Sequence, residues 1–257
     1  MPQRNRAVRI TRRGALMLLL APAVGMTPGA GAGAEWWRLG QDMLRSLVTR
    51  PSPFAGLSTA ELAEAVHEAL VVASVTATET LSRRNGFYGN PDARIPLPAV
   101  LATTRRALQR MGMAARLATL EERINRGAEM AVADARDPLV KAVFDLDLED
   151  AGAILQDSPD GATRYLEARM RPRLVKALRP AVGNGLVEAG AIASHRELEA
   201  HMRNIPFLAN IHLDLLEHVL ECTLQGLFQA IAEEEARLRA NPGGRGSDVF
   251  QRVFSRL

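Results

Sequence analysis

The sequence has 257 residues, of which 47% are hydrophobic and only 4% aromatic, and its 32 basic and 29 acidic side chains give a formal net charge of +3. A single cysteine, Cys222, excludes a disulfide bond within the chain, so stability in an oxidising compartment must come from packing. The basic balance does not indicate a nucleic-acid partner, because five arginines lie in residues 1–34 and leave 27 basic against 29 acidic residues in the rest of the chain.

Residues 1–34 have the order of regions that is typical of a cleavable export signal. Basic residues come first, including the adjacent pair Arg12 and Arg13, and an apolar stretch follows from Ala15 to Val24. The segment around the pair resembles the twin-arginine export motif, which implies export of the folded protein by the twin-arginine machinery. Two alternatives remain open: a Sec signal that contains adjacent arginines, or a retained membrane anchor.

The end of this signal predicts the cleavage point. Ala32 and Ala34 offer the small side chains that a signal peptidase requires, so we expect cleavage between Ala34 and Glu35. The apolar stretch is too short to cross a hydrocarbon core of about 30 Å comfortably as a helix of the mature protein. We therefore expect the mature protein in the periplasm or cell envelope, without a stable membrane span.

Residues 35–56 form an N-terminal segment that links the signal to the main domain. Trp36 and Trp37 lie at its start, and Pro51 and Pro53 end any helix that it forms. The segment is expected to pack onto the domain. The alternative is that the two tryptophans contact a membrane surface.

Residues 57–257 carry helix signals along their length. Ser58 and Glu61 form a capping box, which predicts a long helix to about Ser82, and Asn85-Gly86 is the kind of pair that ends a helix. The following stretch to Pro98 contains three prolines and predicts a loop.

The second half of the domain continues in the same way. Asp147 is expected to cap a helix, Pro172 and Pro180 to divide the segment around them, and Ser247 to begin a short final helix. An alternating strand pattern of any length does not occur. The low aromatic content also suits helix packing better than a β-sandwich. The sequence predicts an all-α fold: one irregular bundle of about eight to ten helices with no sheet.

Several segments of this domain occur in the order and with the spacing that are typical of one protein family. They are Asn85-Gly86-Phe87 with Ile95-Pro96-Leu97-Pro98, Asn125-Arg126-Gly127-Ala128-Glu129, Asp160-Gly161-Ala162-Thr163-Arg164-Tyr165, and Gly226-Leu227-Phe228 with Ile231-Ala232-Glu233-Glu234-Glu235. Together they resemble the bacterial domain of unknown function 4197 over about Leu57 to Phe254. The resemblance implies an exported helical domain and carries no assigned activity.

The most distinctive polar group lies in one predicted helix. Asn125 and Glu129 are four residues apart on one helical face, and Arg126 lies three before Glu129. Small residues flank them, so a neighbouring helix can approach closely. A buried Arg–Glu pair is costly unless it is fully hydrogen-bonded, which favours a polar clamp between helices. A ligand-binding cluster is the alternative.

Two further acidic residues, Asp150 and Glu234, complete the candidate polar cluster. They matter for one alternative function, a hydrolase that would use Glu129 with one of them in a shared cleft. The neighbouring run Glu233-Glu234-Glu235 otherwise predicts a solvated face, with Glu233 paired to Arg237 and Glu235 to Arg239. Metal-site, nucleotide-binding and nucleophile motifs do not occur in the sequence, so no catalytic residue, metal or cofactor is assigned.

These observations favour a non-enzymatic envelope protein that binds a partner or an apolar ligand between its helices. The interior rich in Leu, Ala and Met motivates the apolar ligand. The hydrolase and the membrane-surface protein attached through Trp36 and Trp37 remain as alternatives.

Overall fold

The computed structural model describes residues 53–203, 205, 214–243 and 246–257. Pro53–Leu257 forms one compact unit. The predicted export signal with Arg12 and Arg13, the expected cleavage point at Ala34 and Glu35, and the tryptophan pair lie outside the described residues.

The described residues form nine helices and no strand, which confirms the all-α prediction. In chain order they are α1 (Thr59–Leu81), α2 (Ala99–Arg110), α3 (Ala114–Ala133), α4 (Arg136–Phe144), α5 (Ala151–Asp157), α6 (Gly161–Glu188), α7 (Ala191–Met202), α8 (Leu215–Ala240) and α9 (Asp248–Phe254). Each helix in the described residues falls short of the combined length and hydrophobicity that a membrane-spanning helix requires.

Helix α1 begins and ends as its sequence predicts. The Ser58 hydroxyl accepts from the Glu61 amide at 3.2 Å, and a Glu61 carboxylate oxygen accepts from the Ser58 amide at 2.9 Å, which completes the capping box. Ser82 is the C-cap, and Asn85 adopts a left-handed conformation with φ of 66° in the turn three residues beyond it. The helix is central to the bundle, because it packs against α4, α5, α8 and α9.

Helix α6 corrects the prediction that Pro172 and Pro180 divide this segment. Both prolines lie inside one helix of 28 residues. A proline inside a helix costs about 3 kcal/mol. The same helix buries a row of large aliphatic side chains, each worth roughly 1.5–3 kcal/mol, and together they outweigh two prolines. The row is Leu166, Leu174, Leu178, Val182 and Leu186.

Helix α5 begins later than its sequence suggests. Asp147 does not cap it, because the helix starts at Ala151, and the Asp147 carbonyl instead accepts from the Tyr165 hydroxyl at 2.8 Å. Ser247, by contrast, caps α9 as expected, since its hydroxyl accepts from the Phe250 amide at 3.2 Å.

Helices α3 and α6 approach each other so closely that glycines are needed at the contact. A Cβ atom on Gly127 would lie 3.1 Å from the carbonyl carbon of Gly185, and one on Gly185 would overlap the carbonyl oxygen of Gly127. This contact fixes α3 against α6. Asn125 and Glu129 of α3 bind the loop that follows α1.

Candidate functional site: a polar clamp and an arginine-lined cavity

Asn125 holds the loop between α1 and α2 against α3. Its side chain is fully buried, and Oδ1 accepts from the Ile95 amide at 2.8 Å. Its Nδ2 donates to the Ile95 carbonyl at 2.8 Å and to the Glu121 carbonyl at 2.7 Å. The side-chain amide of Asn125 thus pairs with both the backbone N–H and the backbone carbonyl of Ile95, as a neighbouring β-strand would do.

Glu129 holds the other end of the same loop. The side chain is buried, and Oε1 accepts from the amides of Phe87 at 3.2 Å and Tyr88 at 3.3 Å. Its Oε2 accepts from Arg126 Nη1 at 2.7 Å. The charge of this buried carboxylate is thus compensated by an arginine and two amides, which removes most of the cost of burying it.

Asn125, Arg126 and Glu129 together form the polar clamp, and it differs from the expected one in what it joins. It joins α3 to a loop, whereas the sequence favoured a clamp between two helices. Apolar anchors reinforce it, because Phe87, Ile95 and Leu97 are buried in the core. A Cβ atom on Gly226 of α8 would lie 3.1 Å from the Phe87 ring, so α8 packs directly on this part of the loop.

A cavity of about 480 Å³ lies beside the clamp. Its walls come from the loop after α1, from one face of α3, and from the residue that follows α6. The lining residues are Arg84, Asn85, Tyr88, Thr119, Glu122, Arg123, Arg126, Glu129 and Ala189. Arg126 and Glu129 therefore take part in the clamp and also border open space.

Arg123 is positioned by the junction between α6 and α7. Its Nη1 donates to the Gly190 carbonyl at 3.2 Å and to the Ser194 hydroxyl at 2.6 Å. Gly190 is the N-cap of α7 and has a φ of 73°, a left-handed conformation that suits glycine. Both acceptors are neutral, so neither of them cancels the charge of the guanidinium.

Asp150 and Glu234 lie elsewhere. Asp150 borders a separate cavity of about 580 Å³ with Asp147, Glu149 and Tyr165. Glu234 is mostly buried and pairs with Arg237 at 2.9 Å. The structure brings Asn125, Arg126 and Glu129 together, but it does not place Glu129 in a common cleft with either of the other two acids. The geometry thus gives no support to the hydrolase alternative.

Glu235 departs from the solvated face expected for the Glu233–Glu235 run. It is fully buried and accepts from the amides of Ala162 at 3.0 Å and Thr163 at 2.7 Å, at the N-terminus of α6. The pair with Arg239 does form, at 2.6 Å, but inside the protein. Only Glu233 of the three is exposed, and Arg237 pairs with Glu234 and not with Glu233 as expected.

Cys222 does not have, among the described residues, the basic partner that a nucleophile needs. It is half-buried, and burial raises the pKa of its thiol, with a further contribution from Glu221. His218 has its Nε2 4.0 Å from the sulfur and 2.8 Å from the Pro96 carbonyl oxygen. Because a carbonyl can only accept, this nitrogen carries the proton and cannot take one from the thiol. A cluster able to hold a metal ion does not occur in the described part of the chain.

Arg84 and Arg123 were not identified from the sequence as residues that line this cavity. One signal was available for Arg123: Thr119, Arg123 and Arg126 are four and three residues apart, and so form one stripe with Glu129 on α3. Arg84 gave no comparable signal, because it reaches the cavity from another part of the chain.

Comparison with known proteins matches residues 56–255 to one family model, described as "Protein of unknown function (DUF4197)". A search of the curated proteins finds no match, and a search of the solved structures finds none. The family match covers more than half of the chain and coincides with the helical unit and with the segments that suggested this family. The chain therefore belongs to the DUF4197 family of proteins of unknown function.

Proposed function

We propose that this protein is a non-enzymatic binding domain of the bacterial cell envelope, and that its ligand binds in the cavity lined by Arg84, Arg123 and Arg126. The observation that carries the proposal is the cavity itself, about 480 Å³ in size and bordered by three guanidinium groups. This volume falls within the range of about 300–1,000 Å³ that small-molecule sites have.

The clamp supports binding rather than acid–base chemistry. Both carboxylate oxygens of Glu129 accept hydrogen bonds from the protein, so this acid is engaged in holding the cavity wall. Tyr88 belongs to that wall and is held through its amide. A wall fixed in this way reduces the ordering cost of binding a ligand.

The proposal replaces the apolar ligand expected from composition with a polar one. The aliphatic side chains are largely used in the core, whereas charged groups border this cavity. Recognition of a ligand here would rest on hydrogen bonds and charge.

A side chain that fills the cavity tests this function whatever the ligand is. Thr119 lines the cavity and is exposed, so Thr119→Trp should block binding with little effect on folding. Ala118→Trp is the matched control, because Ala118 is exposed on the same helix but does not line the cavity. Native mass spectrometry of protein isolated from periplasmic extract should detect a bound small molecule in the wild type and the control, and none in Thr119→Trp. A molecule retained by Thr119→Trp, or absent from all three proteins, contradicts the proposal.

Location in the envelope rests on residues 1–34 and is part of the same proposal. Arg12→Lys combined with Arg13→Lys preserves the charge but removes the arginine pair. If the twin-arginine machinery exports the protein, fractionation should find this variant as uncleaved precursor in the cytoplasm. Arg6→Lys with Arg9→Lys is the control and should be exported normally. Normal export of the Arg12 and Arg13 variant would instead favour the Sec pathway.

A further inference from the structure

The arginines of the cavity differ in how much of their charge the protein already compensates. Arg126 is paired with Glu129 at 2.7 Å. Arg123 donates only to neutral oxygens, those of Gly190 and Ser194. Arg84 is exposed and forms no hydrogen bond or ion pair with the described part of the chain. Two of the three guanidinium groups therefore face the cavity without a carboxylate partner among the described residues.

The acids of the lining do not remove this excess. Glu129 is neutralised by Arg126, and Glu122, which is exposed, is the other carboxylate of the lining. Three arginines against two glutamates leave the lining with one net positive charge. An anionic ligand complements that charge.

The arginines also keep donors available for such a ligand. A guanidinium has five N–H donors. Arg123 uses Nη1 for both of its hydrogen bonds, and Arg126 uses Nη1 for its contact with Glu129. Their Nη2 and Nε groups are not engaged in the described part of the chain, while the protein fixes the position of each side chain.

We infer that the cavity binds the carboxylate or phosphate group of a small organic anion, with Arg84 and Arg123 as its direct ligands. Guanidinium groups match the geometry of both oxyanions through paired hydrogen bonds. Arg126 supplies a further donor, and its pairing with Glu129 keeps it in place. Glu122 disfavours additional negative charge, so the site suits a ligand with a single anionic group. This inference rests on the proposed function, because it names the ligand class of the same cavity.

Three probes of similar size test the inference and distinguish the two oxyanions: glycerate, glycerol 3-phosphate and neutral glycerol. The measurement is the dissociation constant from NMR titration of the purified protein at constant ionic strength. At least one of the two anions should saturate the amide shifts of the cavity residues, and glycerol should not. The anion that binds more tightly identifies the source of the charge as carboxylate or phosphate.

Variants that each remove one charge test whether the arginines bind the anion. Arg84→Gln should weaken binding of the anion about tenfold or more, as expected when a charged hydrogen-bond partner is lost. Arg83→Gln is the matched control, because Arg83 is exposed next to it and does not line the cavity. Glu122→Gln should tighten binding several-fold, and a merely structural role of Glu122 would not produce that gain.

The inference is overturned if neither anion saturates, if glycerol binds equally well, or if the Arg83 and Arg84 variants behave alike. Failure here is distinguishable from failure of the proposed function. A periplasmic ligand that is lost in Thr119→Trp but insensitive to Arg84→Gln would keep the cavity as a binding site and show that the ligand is not recognised as an anion.

Discussion

At the scale of single residues, the fold depends on buried polar groups whose hydrogen bonds are satisfied. Glu129 and Glu235 share one arrangement: each carboxylate accepts from two consecutive backbone amides and from an arginine of its own helix. Asn125 carries no charge, and its side chain accepts from one backbone amide and donates to two backbone carbonyls. Such groups stabilise a structure only when all their partners are present, because an unpaired buried group costs about 1–3 kcal/mol.

Truncating Asn125 tests this view directly. Asn125→Ala leaves the amide and the carbonyl of Ile95 buried without their partners, so we expect the free energy of unfolding to fall by about 2–4 kcal/mol. Urea denaturation measures it. Asn90→Ala is the control, since its side chain accepts one exposed hydrogen bond, from Asp92, and its loss should cost under about 1 kcal/mol. Equal, small losses in both variants would show that the clamp does not hold the loop.

The polar residues of α3 could be identified from the sequence, but the loop residues that they bind could not. The spacing of Asn125, Arg126 and Glu129 marked them as one polar group on a helix. Their partners, Ile95 and Phe87, lie 30 and 42 residues away, and a periodic pattern reports only neighbours on the same helix. The burial of Glu235 was hidden for the same reason, because its partners at the start of α6 lie more than 70 residues earlier in the chain.

At the scale of helices, the caps at Ser58 and Ser247 could be predicted, but the start of α5 and the continuity of α6 could not. Ser58 and Ser247 begin helices as expected, because a cap is a local interaction of three or four residues. Pro172 and Pro180 do not end α6, because the burial of its aliphatic row depends on neighbouring helices. The number of helices and the absence of a sheet in the described residues followed from composition and periodicity.

The contact between α3 and α6 gives a prediction at this scale. Gly185→Ala places a methyl group against the backbone of Gly127, so the free energy of unfolding should fall by about 1–3 kcal/mol. Gly183→Ala is the matched control in the same helix, because the nearest atom to its added Cβ is 3.9 Å away. It should be neutral or should stabilise the protein by up to about 1 kcal/mol. The account of this interface fails if urea denaturation shows the two variants to be equally stable.

At the scale of the whole molecule, the cavity is lined by segments that are distant in the sequence. Residues 84, 85 and 88 come from the loop after α1, Arg123 and Arg126 from α3, and Ala189 from the position that follows α6. Two of the lining residues belonged to the predicted polar cluster, whereas Asp150 and Glu234 lie elsewhere. The cavity carries a positive excess although residues 35–257 have slightly more acidic than basic residues. Attraction of an anion must therefore be local, through the hydrogen bonds of the arginines.

A crystal structure of the protein purified from periplasm without added ligand tests the central claim most directly. The account predicts density for a carboxylate or phosphate group in the cavity, with oxygen atoms about 3 Å from Arg84 and Arg123 nitrogens. Water alone in that cavity, or a co-purified ligand bound at another place on the domain, would contradict it.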